Sequence, residues 1–193
     1  YGGVLLSTEK MNKILEIDTQ NLMAVVEPGV ITENLQNEVE KLGLFYPPDP
    51  ASKGSCFIGG NLAECAGGPR ALKYVVTKDY VYGLEVVLPQ GAIINPGGQL
   101  VKNVSGYNLV QLLVGSEGTL GIVTKIILKL LPLPQYRKTI LVPFDSIDAA
   151  TVCLTQIFAN KIIPCAAEFM EKKAVQAAEK KFEKKIPYSD SEA

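Results

Sequence analysis

Histidine is missing from all 193 residues. With it go the commonest general base and the commonest metal ligand near neutral pH. Proton transfer therefore falls to another kind of side chain or to another stretch of polypeptide. Cysteine is sparse: four thiols, Cys56, Cys65, Cys153 and Cys165, none at CxxC spacing. That spacing argues against a zinc site, and a chain this long with an ample apolar share needs no disulfide framework. Free thiols and a cytoplasmic location are the expectation. Charge of one sign is lacking as well. Nineteen Lys and Arg face 20 Asp and Glu for a net charge of −1, and the two signs are interspersed. No broad basic face for nucleic acid is implied. The apolar run 126–133 is broken by Lys129 and Pro132, far short of a membrane span, and no signal peptide opens the sequence.

What is present is a good core and two clusters of glycine. Hydrophobic residues make up 47% of the chain, enough to bury a sizeable core in one domain or one and a half. The first cluster runs Ile58-Gly59-Gly60-Asn61-Leu62-Ala63-Glu64-Cys65-Ala66-Gly67-Gly68-Pro69. The second is Val114-Gly115-Ser116-Glu117-Gly118-Thr119-Leu120-Gly121-Ile122-Val123, with glycine at every third position. Glycine has no Cβ to hold a ligand away and reaches positive φ freely, so such runs let main-chain N–H groups approach a nucleotide or phosphate. Taken singly, a glycine run serves equally well as a plain connection between two elements.

The order of elements is α+β. Residues 4–6, 14–17 and 22–27 read as short strands separated by polar turns. Thr32 caps a helix whose apolar positions Leu35, Val39 and Leu42 share one face and which Gly43 stops. Three prolines in Tyr46-Pro47-Pro48-Asp49-Pro50-Ala51-Ser52 make a stiff extended wall. A short helix over 61–66 ends at Gly67-Gly68-Pro69. Residues 80–88 and 92–95 form a hairpin, 107–114 a short helix, and 122–131 the clearest strand, with Thr124, Ile126, Leu128 and Leu130 on one face. A boundary falls at Pro132-Leu133-Pro134. Beyond it the pattern becomes strand (139–144), helix (146–159, capped through Asp145 and Asp148), strand (165–170) and helix (171–182), half of an α+β sandwich whose two strands cannot close a domain alone. The tail 187–193 adds nothing to it. The sequence starts at Tyr1 rather than Met and reads as a cut from a longer protein at both edges.

These segments and their spacing resemble the FAD-linked oxidases of the vanillyl-alcohol oxidase and p-cresol methylhydroxylase (PCMH) superfamily. The group most similar is that of glycolate oxidase, D-lactate dehydrogenase and D-2-hydroxyglutarate dehydrogenase. The match rests on Met11-Asn12-Lys13-Ile14, Val26-Glu27-Pro28-Gly29-Val30, Pro48 to Ser52, Ile58 to Gly68, Gly83 to Pro89, Lys102 to Leu109 and Gly115 to Val123. The resemblance implies a PCMH-type fold of two α+β subdomains, here mainly the second, over residues 1–134, with the start of an α+β cap over 135–193. It implies FAD as cofactor, a small 2-hydroxy acid as substrate, hydride transfer to the flavin, and an electron acceptor or partner subunit. The alternatives left open are a non-catalytic nucleotide-binding module and a core fragment without activity of its own.

The resemblance also assigns positions. Pro50, Ala51, Ser52, Cys56 and Phe57 line the wall beside flavin and pyrophosphate, while Gly59, Gly60 and Asn61 bring backbone amides to the cofactor. Glu64, Cys65, Gly67 and Gly68 follow along the ribityl and phosphate region, and Glu117, Gly121, Ile122 and Val123 close on ribose and adenine. Tyr107 is read as a packing residue, and no catalytic residue or metal ligand is assigned. Three residues depart from the pattern: Phe57 stands in place of a small hydroxyl residue, Cys65 in place of asparagine, and Val75 in place of glycine, which implies an altered turn. The pyrophosphate loop and the acid–base residues of the family are not among these residues, so weak or no FAD binding and no turnover are expected of this piece alone.

Overall fold

The computed structural model describes residues 2–193. They fall into two compact units, Tyr1–Gln135 and Tyr136–Ala193. In the first, strand β6 (Ile122–Lys129) is the spine. It pairs antiparallel with β2 (Met23–Val26) on one side and β4 (Val81–Val87) on the other. Strand β1 (Ile14–Asp18) extends the sheet beyond β2, and β5 (Ile93–Ile94) beyond β4, giving the order β1-β2-β6-β4-β5. The period-2 pattern read from the sequence sets the register. Ile126 lies between Val26 and Leu84, and Leu128 between Ala24 and Val81, all of them buried.

Three short helices cover that face. α1 (Thr32–Glu40) contributes Leu35 and Val39, α2 (Ile58–Glu64) contributes Ile58 and Leu62, and α4 (Leu109–Leu113) contributes Val110 and Leu113. Each such side chain adds roughly 1.5–3 kcal/mol of transfer free energy. A small second sheet pairs β3 (Leu44–Phe45) with β7 (Leu131–Pro132). The turn into β2 is fixed by Asp18, which accepts from the Gln20 and Asn21 amides at 2.9 and 2.8 Å and from the Asn21 side chain at 2.6 Å. These bonds, the Asn21 side chain foremost, hold the Asp18 carboxyl below its ordinary pKa.

Several expectations are corrected. Residues 4–6 form no strand and lie exposed, having no neighbour to pair with among the described residues. Thr32 begins α1 but is not its cap, and Leu42 is exposed beyond the end of that helix. Helix α2 starts at Ile58 instead of residue 61, because two of its first amides find acceptors in a distant segment. In the second unit, helices α5 (Ile147–Ala159) and α6 (Lys172–Phe182) form as expected, but 139–144 and 165–170 are not strands. No described residue of that unit is buried, and strand-like sequence without a ladder gains too little to order. Ser146 caps α5 by accepting from Ala149 N–H at 3.1 Å, in place of Asp145 and Asp148. The tail does take part: the Phe144 amide donates to the Ala193 carbonyl, and Lys172 pairs with Glu192 at 3.0 Å.

The turn after α3 (Ala71–Tyr74) has a glycine-type backbone, with φ 57° and ψ −151° at Val75. A β-branched side chain is strained there, at a cost of about 1–3 kcal/mol. Replacement by glycine relieves that strain against an entropic loss of about 0.5–1 kcal/mol. Val75→Gly should therefore raise stability by about 1 kcal/mol, seen as a higher urea midpoint with unchanged slope.

Candidate functional site

The two glycine clusters, well separated in the sequence, are joined by hydrogen bonds. A helix leaves its last carbonyls unsatisfied. At the end of α2 the Leu62 carbonyl accepts from Gly115 N–H at 2.9 Å, and the Ala63 carbonyl accepts from Glu117 N–H at 2.8 Å. Cys65 follows in the left-handed region at φ 53°, ψ 51°, with Ala66 N–H bonded back to the Asn61 carbonyl and Cys65 N–H to that of Leu62. That is a Schellman ending, which favours glycine or asparagine at the left-handed position. The asparagine expected there thus has a conformational rationale that Cys65 meets only under strain. Glu117 is left-handed too, at φ 53°, between Gly115 and Gly118, and its side chain is exposed.

At the other end of α2, Ile58 N–H donates to the Val30 carbonyl and Gly59 N–H to the Pro28 carbonyl, both at 2.8 Å. Gly60 differs. Its amide has no hydrogen-bond partner among the described residues, it is exposed, and no atom lies within 4 Å of where its Cβ would be. Gly59, Gly68 and Gly121 answer to the protein itself. A Cβ on Gly59 would stand 2.6 Å from Pro28, and one on Gly121 2.6 Å from Val86. One on Gly68, at φ +142°, would collide with the Asp49 carbonyl. At Gly67 the space is merely tight, since a Cβ there would meet the Val76 side chain at 3.3 Å.

The proline wall is held in place by charge and amide. Gln36, buried on α1, donates to the Pro48 carbonyl at 2.8 Å and the Tyr46 carbonyl at 3.3 Å. Asp49 pairs with Arg70 Nε at 3.1 Å and Lys53 Nζ at 3.0 Å, and the Arg70 guanidinium lies 5.2 Å over the Phe45 ring. Pro50 is half-buried, Ala51 and Ser52 are exposed, and Cys56 and Phe57 are half-buried at the entry to α2. Glu64 is exposed, as is Ile122, while Val123 is half-buried beside Val86 on β4. Asn61 is buried, and its amide donates inward to Thr32 Oγ1 at 2.6 Å.

Sequence reasoning took Thr32 only for a helix cap and missed Gln36 and Thr77, all three buried and polar. A polar residue on the apolar face of α1 was the available signal. It also misread Tyr107, which is 95% exposed in an irregular segment and packs nothing. No helix among the described residues is long and apolar enough to cross a membrane.

Residues 1–97 match the family described as FAD binding domain. The chain belongs to that family. Residues 133–193 match the C-terminal domain of FAD linked oxidases. The chain is 56% identical over 170 residues to a glycolate oxidase subunit, GlcD, of Bacillus subtilis, covering 88% of this chain and 36% of the relative. It is 43% identical to a D-lactate dehydrogenase of Anaerostipes hadrus over 96% of this chain and 39% of that one. A D-2-hydroxyglutarate dehydrogenase of Stutzerimonas stutzeri shares 38% identity over 90% of this chain and 37% of its own length. Among solved structures, an alkyldihydroxyacetonephosphate synthase superposes with a TM-score of 0.68 at 29% identity, covering 82% of this chain and 28% of that protein. The chain thus spans little more than a third of the curated relatives it matches.

FAD is the cofactor of this FAD-binding family, and an unpaired amide in open space is chemistry that suits it. Gly60 offers such an N–H on a face with no Cβ, and Ala51 and Ser52 of the proline wall are exposed as well. Gly60→Ala should leave the fold intact and gain up to about 1 kcal/mol from helix propensity, while weakening FAD binding. Gly59→Ala, forced onto Pro28, should lose about 1–3 kcal/mol through overpacking. Thermal melts of both variants, with flavin titration of the first, check the distinction.

Beneath α2 the Tyr46 hydroxyl is fully buried with no well-formed hydrogen bond, and burial pushes its pKa up, with Thr77 opposing. Burial likewise pushes the Tyr80 hydroxyl up to about 12. A raised folded-state pKa means stability that is complete below the unfolded phenol value of about 10 and is lost as pH climbs through the folded one. Urea midpoints should fall as pH rises from about 10 toward about 12, and Tyr46→Phe should flatten that fall.

Proposed function

We propose that this chain forms part of the FAD site of an enzyme that oxidises a small 2-hydroxy acid of the glycolate or D-lactate type. The observation that carries the reading is the 56% identity, over 88% of this chain, to a protein named as a glycolate oxidase subunit. Two dehydrogenases of D-2-hydroxy acids match over similar spans. The alkyldihydroxyacetonephosphate synthase likeness shows that the fold alone does not decide the chemistry. The reading therefore rests on the sequence relatives.

In this reading Pro50, Ala51, Ser52, Cys56 and Phe57 form the wall against the flavin and pyrophosphate. Gly60 donates its free N–H, and Glu64, Cys65 and Gly67 line the path toward the phosphates. Glu117, carried outward by its left-handed backbone, takes ribose hydroxyls, and Ile122 and Val123 border the adenine. Gly59, Gly68 and Gly121 act by letting Pro28, Asp49 and Val86 come close, which sets the shape of that wall. Held by these residues, FAD would supply the hydride-accepting chemistry that oxidation of a 2-hydroxy acid needs. The proton of the substrate hydroxyl goes to a base outside the residues assigned here, and the electrons pass on to an acceptor or partner subunit.

The test uses the full-length protein that contains this sequence. It should purify yellow, release FAD on denaturation, and lose its flavin absorbance on anaerobic mixing with glycolate, D-lactate or D-2-hydroxyglutarate. A protein that takes up FAD but is bleached by none of these acids overturns the substrate class. A colourless protein that takes up no FAD overturns the reading altogether.

A further inference from the structure

The buried Asn61 amide does not reach outward to a cofactor. It is 4% exposed and donates to Thr32 Oγ1 at 2.6 Å. Thr32 is itself fully buried at the start of α1. Its backbone N–H donates to the Cys56 carbonyl at 3.1 Å, and its hydroxyl lies 3.3 Å from both that carbonyl and the Cys56 sulfur. A hydroxyl that accepts from an amide has one proton left to give, and both acceptors within reach belong to Cys56. One threonine therefore ties the residue two before the start of α2 to a residue in its middle.

That tie fixes how α2 is rolled about its axis. Consecutive helical residues are roughly 100° apart around the axis. With Asn61 turned inward onto Thr32, Gly60 is turned to the open side, where its amide is free and nothing occupies its Cβ position. The short bonds at Ile58 and Gly59 fix where the helix begins, and the Asn61 bond fixes its rotation.

We propose that the Asn61–Thr32–Cys56 clasp is a positioning device: it sets the roll of α2 and the placement of Cys56, and through them the affinity for FAD. The inference rests on the FAD-site reading above. Asn61 and Thr32 are then positioning residues that do not touch the cofactor. A valine at 32 keeps the volume of threonine but leaves the Asn61 amide buried without an acceptor, a cost that relaxation of the helix relieves. Serine keeps the hydroxyl and loses only a methyl.

The experiment is FAD titration of the apo form of the full-length protein, with a melt of each apo variant as control. Thr32→Val should raise the FAD dissociation constant about tenfold, which corresponds to about 1.4 kcal/mol, and Thr32→Ser should stay within about twofold of wild type. A Thr32→Val protein that melts earlier yet binds FAD as wild type overturns the proposal, since the clasp then serves stability alone. Equal weakening in both variants also overturns it, because the hydroxyl would not be the determinant. If Thr32→Val does not fold, Asn61→Ser asks the same question, and an unchanged dissociation constant there overturns it. Wild-type protein that binds no FAD removes the clasp proposal together with the reading beneath it, and that failure is distinguishable because it precedes any variant.

Discussion

Helix α2 is held at both ends by backbone bonds to segments remote in sequence, and which of its groups stay free depends on that anchoring. Two amides of its first turn go to the Pro28 and Val30 carbonyls, and its last carbonyls take the Gly115 and Glu117 amides. A helix of seven residues is too short to persist on its own hydrogen bonds. Its stability comes from those four external bonds and from Ile58 and Leu62 in the core. The same bonds leave a single first-turn amide, that of Gly60, without a protein partner among the described residues. The free donor is a by-product of how the helix is satisfied.

Glycine divides into two kinds here. At Gly59, Gly68 and Gly121 the missing Cβ makes room for protein atoms, and at Gly97 it lets a loop lie on Tyr82 and Gly83 of β4. At Gly60 and Gly118 nothing of the protein stands where a Cβ would be. A sequence shows only that glycine is there. Which neighbour excludes the Cβ depends on contacts between residues far apart in the chain, such as Gly68 against Asp49. This is why the clusters were legible as clusters, and the residue-by-residue division within them was not.

The same limit explains what was read well and what was not. Strands β4 and β6 were visible because burial on one face imposes a period of two that local sequence carries, and β2, buried on both faces, as a short apolar run between turns. Family spacing located the proline wall and both glycine clusters. The Thr32, Gln36 and Asn61 bonds were invisible, because a buried polar side chain reveals itself only through a partner brought close by the fold. Asn61 was expected to offer its backbone amide, which instead donates to the Phe57 carbonyl at 3.0 Å, while its side-chain amide is used 2.6 Å away inside the protein. At Val75 a β-branched residue sits at a left-handed φ that only its surroundings can impose, and the valine carries the strain.

The second unit shows what local pattern can do without tertiary support. Its two helices carry their own signals, a serine cap on α5 and lysines in the last turn of α6, and both form. Its two strand-like segments carry only β propensity, which is realised through neighbours on a ladder, and neither forms. Apolar side chains such as Val152, Phe158, Ile162 and Ile163 stay substantially exposed. The first unit differs because β6 finds pairing partners on both edges from segments roughly forty and one hundred residues earlier, and α1, α2 and α4 then have a sheet face to cover. The FAD-binding unit thus possesses, within these residues, the closed set of contacts that fixes α2 and its one free amide. The unit after Gln135 possesses helices and leaves much of its apolar surface exposed, because nothing in it offers a sheet face to cover.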